Sequence, residues 1–272
     1  MTPRTPLFLE NALNTAARNT VKLALIAAGT LLASGQALAL NYYELEVYPY
    51  ATAAKGELEL ENATTHTRRG PKSAGEDEAT ADGRMRSSFE ATYGVTDRVE
   101  VSAYADFLRN PGEGWSFGGQ RYHVRTRFFE KGELPVDLGA YVEVEMPKHD
   151  EDTHEVELRG IVEKDLGRFT FDFNPIVEKV IKGDNVSSGW GLQYSAAVIY
   201  RLSERYRPRL DFFGDFGPIQ DFRPRSEQQH LISPALEINL GRQFHVQAGV
   251  AFGLTDATEQ RLVRIRLEKE FY

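Results

Sequence analysis

The sequence predicts an all-β chain, a transmembrane antiparallel up-and-down β-barrel of about twelve strands. Three observations lead there. Apolar and polar residues alternate with a period of two over nearly the whole chain after residue 40. Short turns alternate with connections that are mostly longer and more polar. A leader of basic, then apolar, then small residues comes before the alternating region and has the composition of an export signal.

The leader holds Arg4, Arg18 and Lys22, then the apolar run LALIAAGTLLASG from Leu23 to Gly35, then Ala37 and Ala39. A basic head, a short apolar core and an A-x-A site are the parts of a secretory signal peptide. The core falls short of the roughly 17 apolar residues that a spanning helix needs. Residues 1–39 are therefore read as a signal peptide cleaved after Ala39. No later stretch is apolar enough for a transmembrane helix, so the mature chain can cross a membrane only with strands.

The strand pattern is regular. VEVSAYADF places Val99, Val101, Ala103, Ala105 and Phe107 on one face and Glu100, Ser102, Tyr104 and Asp106 on the other. VDLGAYVEVEM sets Val136, Leu138, Ala140, Val142 and Val144 against Asp137, Glu143 and Glu145. FTFDFNPIVE sets Phe169, Phe171 and Phe173 against Thr170, Asp172 and Asn174, and FHVQAGVAF sets Phe244, Val246, Ala248, Val250 and Phe252 against His245 and Gln247. Turns at 94–98, 130–135, 165–168, 202–206 and 240–243 alternate with loops at 68–84, 109–119, 147–153, 181–189, 217–228 and a tighter one at 254–260. Five turns and six loops in strict alternation separate twelve strands, with short connections on one rim and mostly long ones on the other, as in bacterial outer-membrane barrels. An even strand number requires the barrel to occupy 57–272. Residues 40–56 are then a periplasmic lead-in or an extension of the first strand, and Pro49 suits either better than a central strand.

One face of the strands is dense in charge: Glu57, Glu59, Glu61, Glu100, Asp106, Arg125, Arg127, Glu143, Glu145, Glu157, Arg159, Asp211, Arg264 and Arg266. Aromatic residues decide which way it points. Tyr93, Phe128, Phe129, Phe169, Tyr200, Tyr206, Phe244, Phe271 and Tyr272 gather near the short-turn rim, and Phe107, Trp115, Trp190, Phe216 and Phe252 near the other. Two aromatic bands around an aliphatic zone are girdles at lipid interfaces, so the charged face is expected to line the lumen. Acids outnumber bases there. Arg125 and Arg127 are expected to face acids on the flanking strands, and Arg264 and Arg266 to stand beside Glu57, Glu59 and Glu61 where the barrel closes.

The chain ends LVRIRLEKEFY, an alternating strand that stops on Phe271 and Tyr272. This resembles the C-terminal assembly signal of bacterial outer-membrane proteins. YGVTDRVEV and FGLTDAT look like turn and loop motifs of a large proteobacterial family of outer-membrane channels, the porins labelled for the MetA pathway of phenol degradation. The resemblance covers most of the mature chain. It implies an outer-membrane channel, with outer-membrane lipid, lipopolysaccharide and the barrel assembly machinery as partners, and it carries no catalytic motif.

The residues themselves offer little chemistry beyond the lumen. No phosphate loop, dinucleotide fingerprint, nucleophile elbow or HExxH occurs, and there is no cysteine. No cofactor is called for. A formal charge of −8 with scattered bases argues against nucleic acid. KHDEDTHE (148–155) has metal-like composition in His149, Asp150, Asp152 and His154, but lies in an expected outer loop, where a solvated charge run is the ordinary case. His154, His230 and Ser226 lie near outer loops without the spacing of a catalytic set. The expected function is passage of small polar or ionic solutes across the outer membrane. The alternatives are a non-conducting structural or surface-binding barrel and, third, an outer-membrane enzyme of phospholipase or protease type.

Overall fold

Alternation with a period of two leaves a strand one polar and one apolar face, and a chain of such strands can satisfy its edges only by closing on itself. In the computed structural model this happens. The structure describes residues 40–272 apart from 44, 73–80, 150–151, 184–185, 188 and 242. The leader and its cleavage site lie outside the described residues.

Twelve strands follow in order: β1 (Leu58–Arg69), β2 (Met85–Thr96), β3 (Val99–Arg109), β4 (Ser116–Arg127), β5 (Asp137–Pro147), β6 (His154–Leu166), β7 (Phe169–Lys182), β8 (Gly191–Tyr200), β9 (Tyr206–Pro218), β10 (Gln229–Asn239), β11 (Phe244–Gly253) and β12 (Arg261–Phe271). Each pairs antiparallel with its sequence neighbours, and β1 pairs with β12 to close the barrel. The turns and loops read from the sequence separate these strands.

The charged face points inward. On β7, Thr170, Asp172 and Asn174 are buried while Phe169, Phe171 and Phe173 are exposed. Val101, Val124, Val142, Leu158, Ile265 and Leu267 are likewise exposed on their strands. A continuous exposed apolar belt of this extent is a bilayer-facing surface.

Residues 40–56 differ from the sequence expectation. They neither lie below the rim nor extend β1; they run inside the barrel. Leu40 N donates to Gln229 Oε1 at the loop-bearing rim (3.0 Å), while Thr52 Oγ1 reaches the Asp97 carbonyl at the short-turn rim (3.4 Å). The segment thus descends the lumen and turns at Lys55–Gly56 into β1. Gly56 has φ +84°, and its N–H donates to the Gly94 carbonyl at 2.8 Å. A Cβ on Gly94 would come 1.9 Å from the Ala54 carbonyl oxygen, so only glycine lets the descending segment cross β2 this closely.

The physical reason for this placement is burial on both parities. Leu45 and Val47 alternate with Glu46 and Tyr48, and all four are buried, as is Tyr50. A strand at the lipid interface has one apolar and one charged side. This segment has apolar or aromatic groups on both, which suits an enclosed position.

Candidate functional site

The lumen is built in two halves around this internal segment. In the outer half, Leu40, Tyr42, Leu45 and Val47 pack with Ala197, Phe213, Leu231, Ala251 and Leu262 from β8–β12. These wall residues interrupt the otherwise polar inward parity. Phe213 lies between Asp211 and Asp215, and Leu262 lies one inward position from Arg264. The wall is apolar where the segment offers apolar groups.

On the opposite wall Tyr48 and Tyr50 form a second cluster with Tyr141 and Ile161. The Tyr48 ring lies between two guanidiniums, Arg125 at 5.1 Å and Arg159 at 4.7 Å, an arrangement in which cation–π attraction adds to burial. Its hydroxyl meets Tyr104 Oη at 2.7 Å, and Tyr104 Oη meets His123 Nδ1 at 3.0 Å. His123 Nε2 lies 3.7 Å from Glu100, whose other oxygen accepts from Ala53 N at 2.6 Å. The network leaves the segment at Tyr48, crosses the wall and returns to the segment at Ala53.

The wall also grips the segment's backbone, which has no strand partner of its own. Tyr50 N donates to Glu163 Oε2 at 2.9 Å, Arg125 Nη1 to the Pro49 carbonyl at 3.4 Å, and Arg159 Nη1 to the Glu46 carbonyl at 3.4 Å. Arg264 Nη2 donates to the Leu45 carbonyl. Leu45 has φ +38°, a sparsely populated region for a branched side chain. Its burial to 3% exposure and the bond from Arg264 hold it there.

Most of the charges read from the sequence meet inside this frame. Arg125 Nε pairs with Glu100 at 2.6 Å. Arg121 pairs with Asp106 at 2.8 Å and reaches Glu143 at 3.5 Å, and its guanidinium lies 4.1 Å from the centre of the Tyr104 ring. Arg159 pairs with Glu157 at 2.8 Å, Arg209 with Asp211 at 2.7 Å, and Arg264 with Asp211 at 4.0 Å. At the closure, Arg266 pairs with Glu61 at 2.5 Å and with Glu46 of the internal segment at 2.6 Å. Asn41 Nδ2 reaches Glu145 at 3.5 Å, and Glu57 Oε2 accepts from Ala54 N at 2.8 Å. Arg127 stays at the rim, where it donates to the Asp97 carbonyl and pairs with Glu130 at 2.8 Å. Hydrogen bonds from Arg98 and Arg127 hold the exposed Glu130 carboxyl below its usual range.

The metal-like loop does not converge among the described residues. His149 and Asp152 are exposed, and His154 opens β6 opposite Lys182. Asp150 lies outside the described residues. At the C-terminus Phe271 faces outward opposite Leu58, and Tyr272 is exposed beyond it.

A cavity of about 470 Å³ remains in the short-turn half, between the segment and the barrel wall, with residues of most strands, Glu100, Arg125, Glu163 and Asp172 among them, in its lining. Glu59, Glu61, Glu90 and Glu268 line it, with Arg209 and Arg266. Register stacks the acids directly: Glu90 opposes Glu61, Glu61 opposes Glu268, and Glu59 opposes Glu270. Like charges facing across strands repel, and Arg266 with the other cations of the lining, Arg125, Arg207 and Arg209 among them, offsets only part of that repulsion because acids outnumber bases there. The cavity is therefore an acidic space that opens toward the short-turn rim.

Sequence reading did not pick out Glu46, Tyr48, Tyr50, Glu163 or the Arg86–Glu259 pair (2.6 Å). The available signal was the set of apolar and aromatic residues on the polar parity, Tyr104, Tyr141, Ile161, Phe213, Leu231 and Leu262. A water-filled lumen has no use for them, and an occupied one does.

No protein-family model and no curated protein matches the chain. Solved structures do. The COG4313 outer membrane channel from Pseudomonas putida F1 is similar with a TM-score of 0.59 and 14% identity, over 83% of this chain and 100% of that one. A KdgM porin is similar with a TM-score of 0.54 and 7% identity, over 79% and 99%. At these identities the likeness is one of fold.

Proposed function

We propose that this protein is an outer-membrane channel for small polar or ionic solutes, closed at rest by its own N-terminal segment. The observation that carries this reading is the polar, charge-lined lumen bridged by residues 40–56, with a 470 Å³ acidic cavity already open beneath the bridge. A barrel that served only as a scaffold could fill its lumen with wall side chains, whereas here the filling is a tether joined to the wall mainly by side-chain contacts. The fold shared with a COG4313 outer membrane channel and a KdgM porin supports the same reading.

The same geometry supports export with removal of the leader. Leu40 sits at the loop-bearing end of the lumen, so a retained leader would have to be threaded to the cell surface. Cleavage after Ala39 removes that requirement. Phe271 and Tyr272 would then present the C-terminal strand to the assembly machinery.

The acids of the cavity attract cations and repel anions, more strongly at low salt where screening is weak. Reversal potentials across a planar bilayer in a salt gradient test the reading: cation preference that shrinks as salt rises supports it. Anion preference would contradict it. Absence of any conductance, even with the segment removed, would favour the structural barrel.

A further inference from the structure

The lipid-facing surface carries a patch of cations at the loop-bearing rim, confined to one sector. Thr65 and Thr67 of β1 are buried in the lumen, so alternation turns His66 and Arg68 outward. On β12, Leu262 is buried and Arg261 turns outward. On β3, Leu108 opposes the inward Arg86, which leaves Arg109 on the outer face.

Register brings these residues together. His66 opposes Val263 on β12 and Met85 on β2, and Met85 opposes Arg109. Arg261 opposes Arg69 beyond the bulge between Thr67 and Arg69. Arg68, Arg69, Arg109 and Arg261 are exposed, and among the described residues their guanidiniums make no hydrogen bond or ion pair.

Like charges crowded at the edge of a low-dielectric layer repel more than they would in bulk water, so the patch calls for an anion. The position says which kind. One outward place below Arg109, Phe107 meets Phe89 and Phe117 edge to face, with ring centres 5.9 and 5.8 Å away, forming part of the aromatic girdle. Such rings sit at headgroup level, which puts the guanidiniums against the headgroups of the outer leaflet. Arginine also offers the two-pronged donor geometry that phosphate oxygens accept.

We propose that Arg68, Arg109 and Arg261 bind the phosphate groups of lipid A, the phosphorylated glycolipid of the outer leaflet, with its acyl chains over the Phe89–Phe107–Phe117 row. The proposal rests on the outer-membrane reading above and is independent of whether the lumen conducts.

The test uses full-length processed protein refolded free of lipopolysaccharide, with native mass spectrometry to measure binding of lipid A. Wild type is expected to bind bisphosphorylated lipid A and to lose at least tenfold in affinity for the fully dephosphorylated lipid. Each basic residue at an anionic lipid surface contributes roughly a factor of five, so Arg68→Gln/Arg109→Gln/Arg261→Gln should also lose at least tenfold. Lys179→Gln, an outward cation on β7, should bind as wild type does. Heat-modifiable gel mobility confirms that each variant is folded, and the single variants replace the triple one if it is not.

Equal binding of the dephosphorylated lipid, unchanged binding by the folded variants, or complete competition by millimolar inorganic phosphate would each overturn the proposal. Residues 73–80, which include Glu76, Asp77 and Glu78, lie outside the described residues. Binding that appears only after those three are changed to Gln would assign the counter-charge to that loop and overturn the proposal too. A chain that failed to fractionate with outer membranes would fail the outer-membrane reading instead, which keeps the two outcomes apart.

Discussion

Asn174 holds Tyr48 by both of its backbone groups: Tyr48 N donates to Asn174 Oδ1 at 2.8 Å, and Asn174 Nδ2 donates to the Tyr48 carbonyl at 3.1 Å. One side-chain amide on β7 thus does for the internal segment what a neighbouring strand would do. Two hydrogen bonds of this kind contribute about 1–3 kcal/mol net. Asn174→Ala is expected to raise the frequency of spontaneous channel openings roughly 5- to 160-fold, the same range expressed as a population. Single-channel recording of the variant checks it, and an unchanged opening frequency would show that Asn174 does not hold the segment.

Arg125 joins a wall acid to the segment, through Glu100 at 2.6 Å and the Pro49 carbonyl at 3.4 Å. Arg125→Gln leaves Glu100, 1% exposed, without its main counter-charge. The expected loss of stability is about 3–5 kcal/mol. Arg125→Gln/Glu100→Gln should recover much of it, because it leaves no uncompensated charge. Urea titration of the refolded proteins reads both. Where Arg125→Gln still folds, its open state should prefer cations more strongly than wild type.

Glu143 and Glu145 belong to the charged face that the sequence turns toward the lumen. The structure occupies Glu143 with Arg121 (3.5 Å) and the Tyr141 hydroxyl, whereas Glu59, Glu90 and Glu268 line the cavity. Glu59→Gln/Glu268→Gln is therefore expected to reduce cation preference more than Glu143→Gln/Glu145→Gln. Reversal potentials at low salt give the comparison, and the reverse order would place the selective region in the outer half.

Val142 is 45% exposed, between Val124 and Leu158 on the bilayer-facing surface. Val142→Arg should cost about 2–4 kcal/mol, the range for a cation near the bilayer midplane. Gln247→Arg, facing the cavity, should be far milder. Ser102 also faces inward, but it is 6% exposed and its Oγ lies 2.5 Å from Thr92 Oγ1. An arginine there would not fit.

The fold was legible because each strand repeats one simple rule. An alternating pattern such as Phe169–Thr170–Phe171–Asp172 has one stable placement in a closed sheet at a lipid interface, and the short turns fix the strand count. The polar lumen followed from the same rule. The internal segment did not, because strand parity describes a chain with two distinguishable sides and residues 40–56 have none. Its position depends on pairings between residues more than a hundred positions apart, such as Tyr48 with Asn174 and Leu45 with Arg264. Only the apolar residues on the inward parity, Phe213 and Leu262 among them, announced that the lumen was occupied.

Topology follows from the same count. Tags inserted in 109–119 or 217–228 should be labelled on intact cells, and tags in 94–98 only after the outer membrane is breached. Labelling at 94–98 alone would invert the barrel and place Leu40 at the periplasmic end.

The central claim is that residues 40–56 close a lumen that otherwise conducts, and conductance across a planar bilayer tests it most directly. The processed full-length chain is compared with one lacking residues 40–54. The full-length chain should show small, infrequent openings, and the shortened chain a larger, steady, cation-preferring conductance. Equal conductance in the two folded proteins, or none in either, would contradict the account.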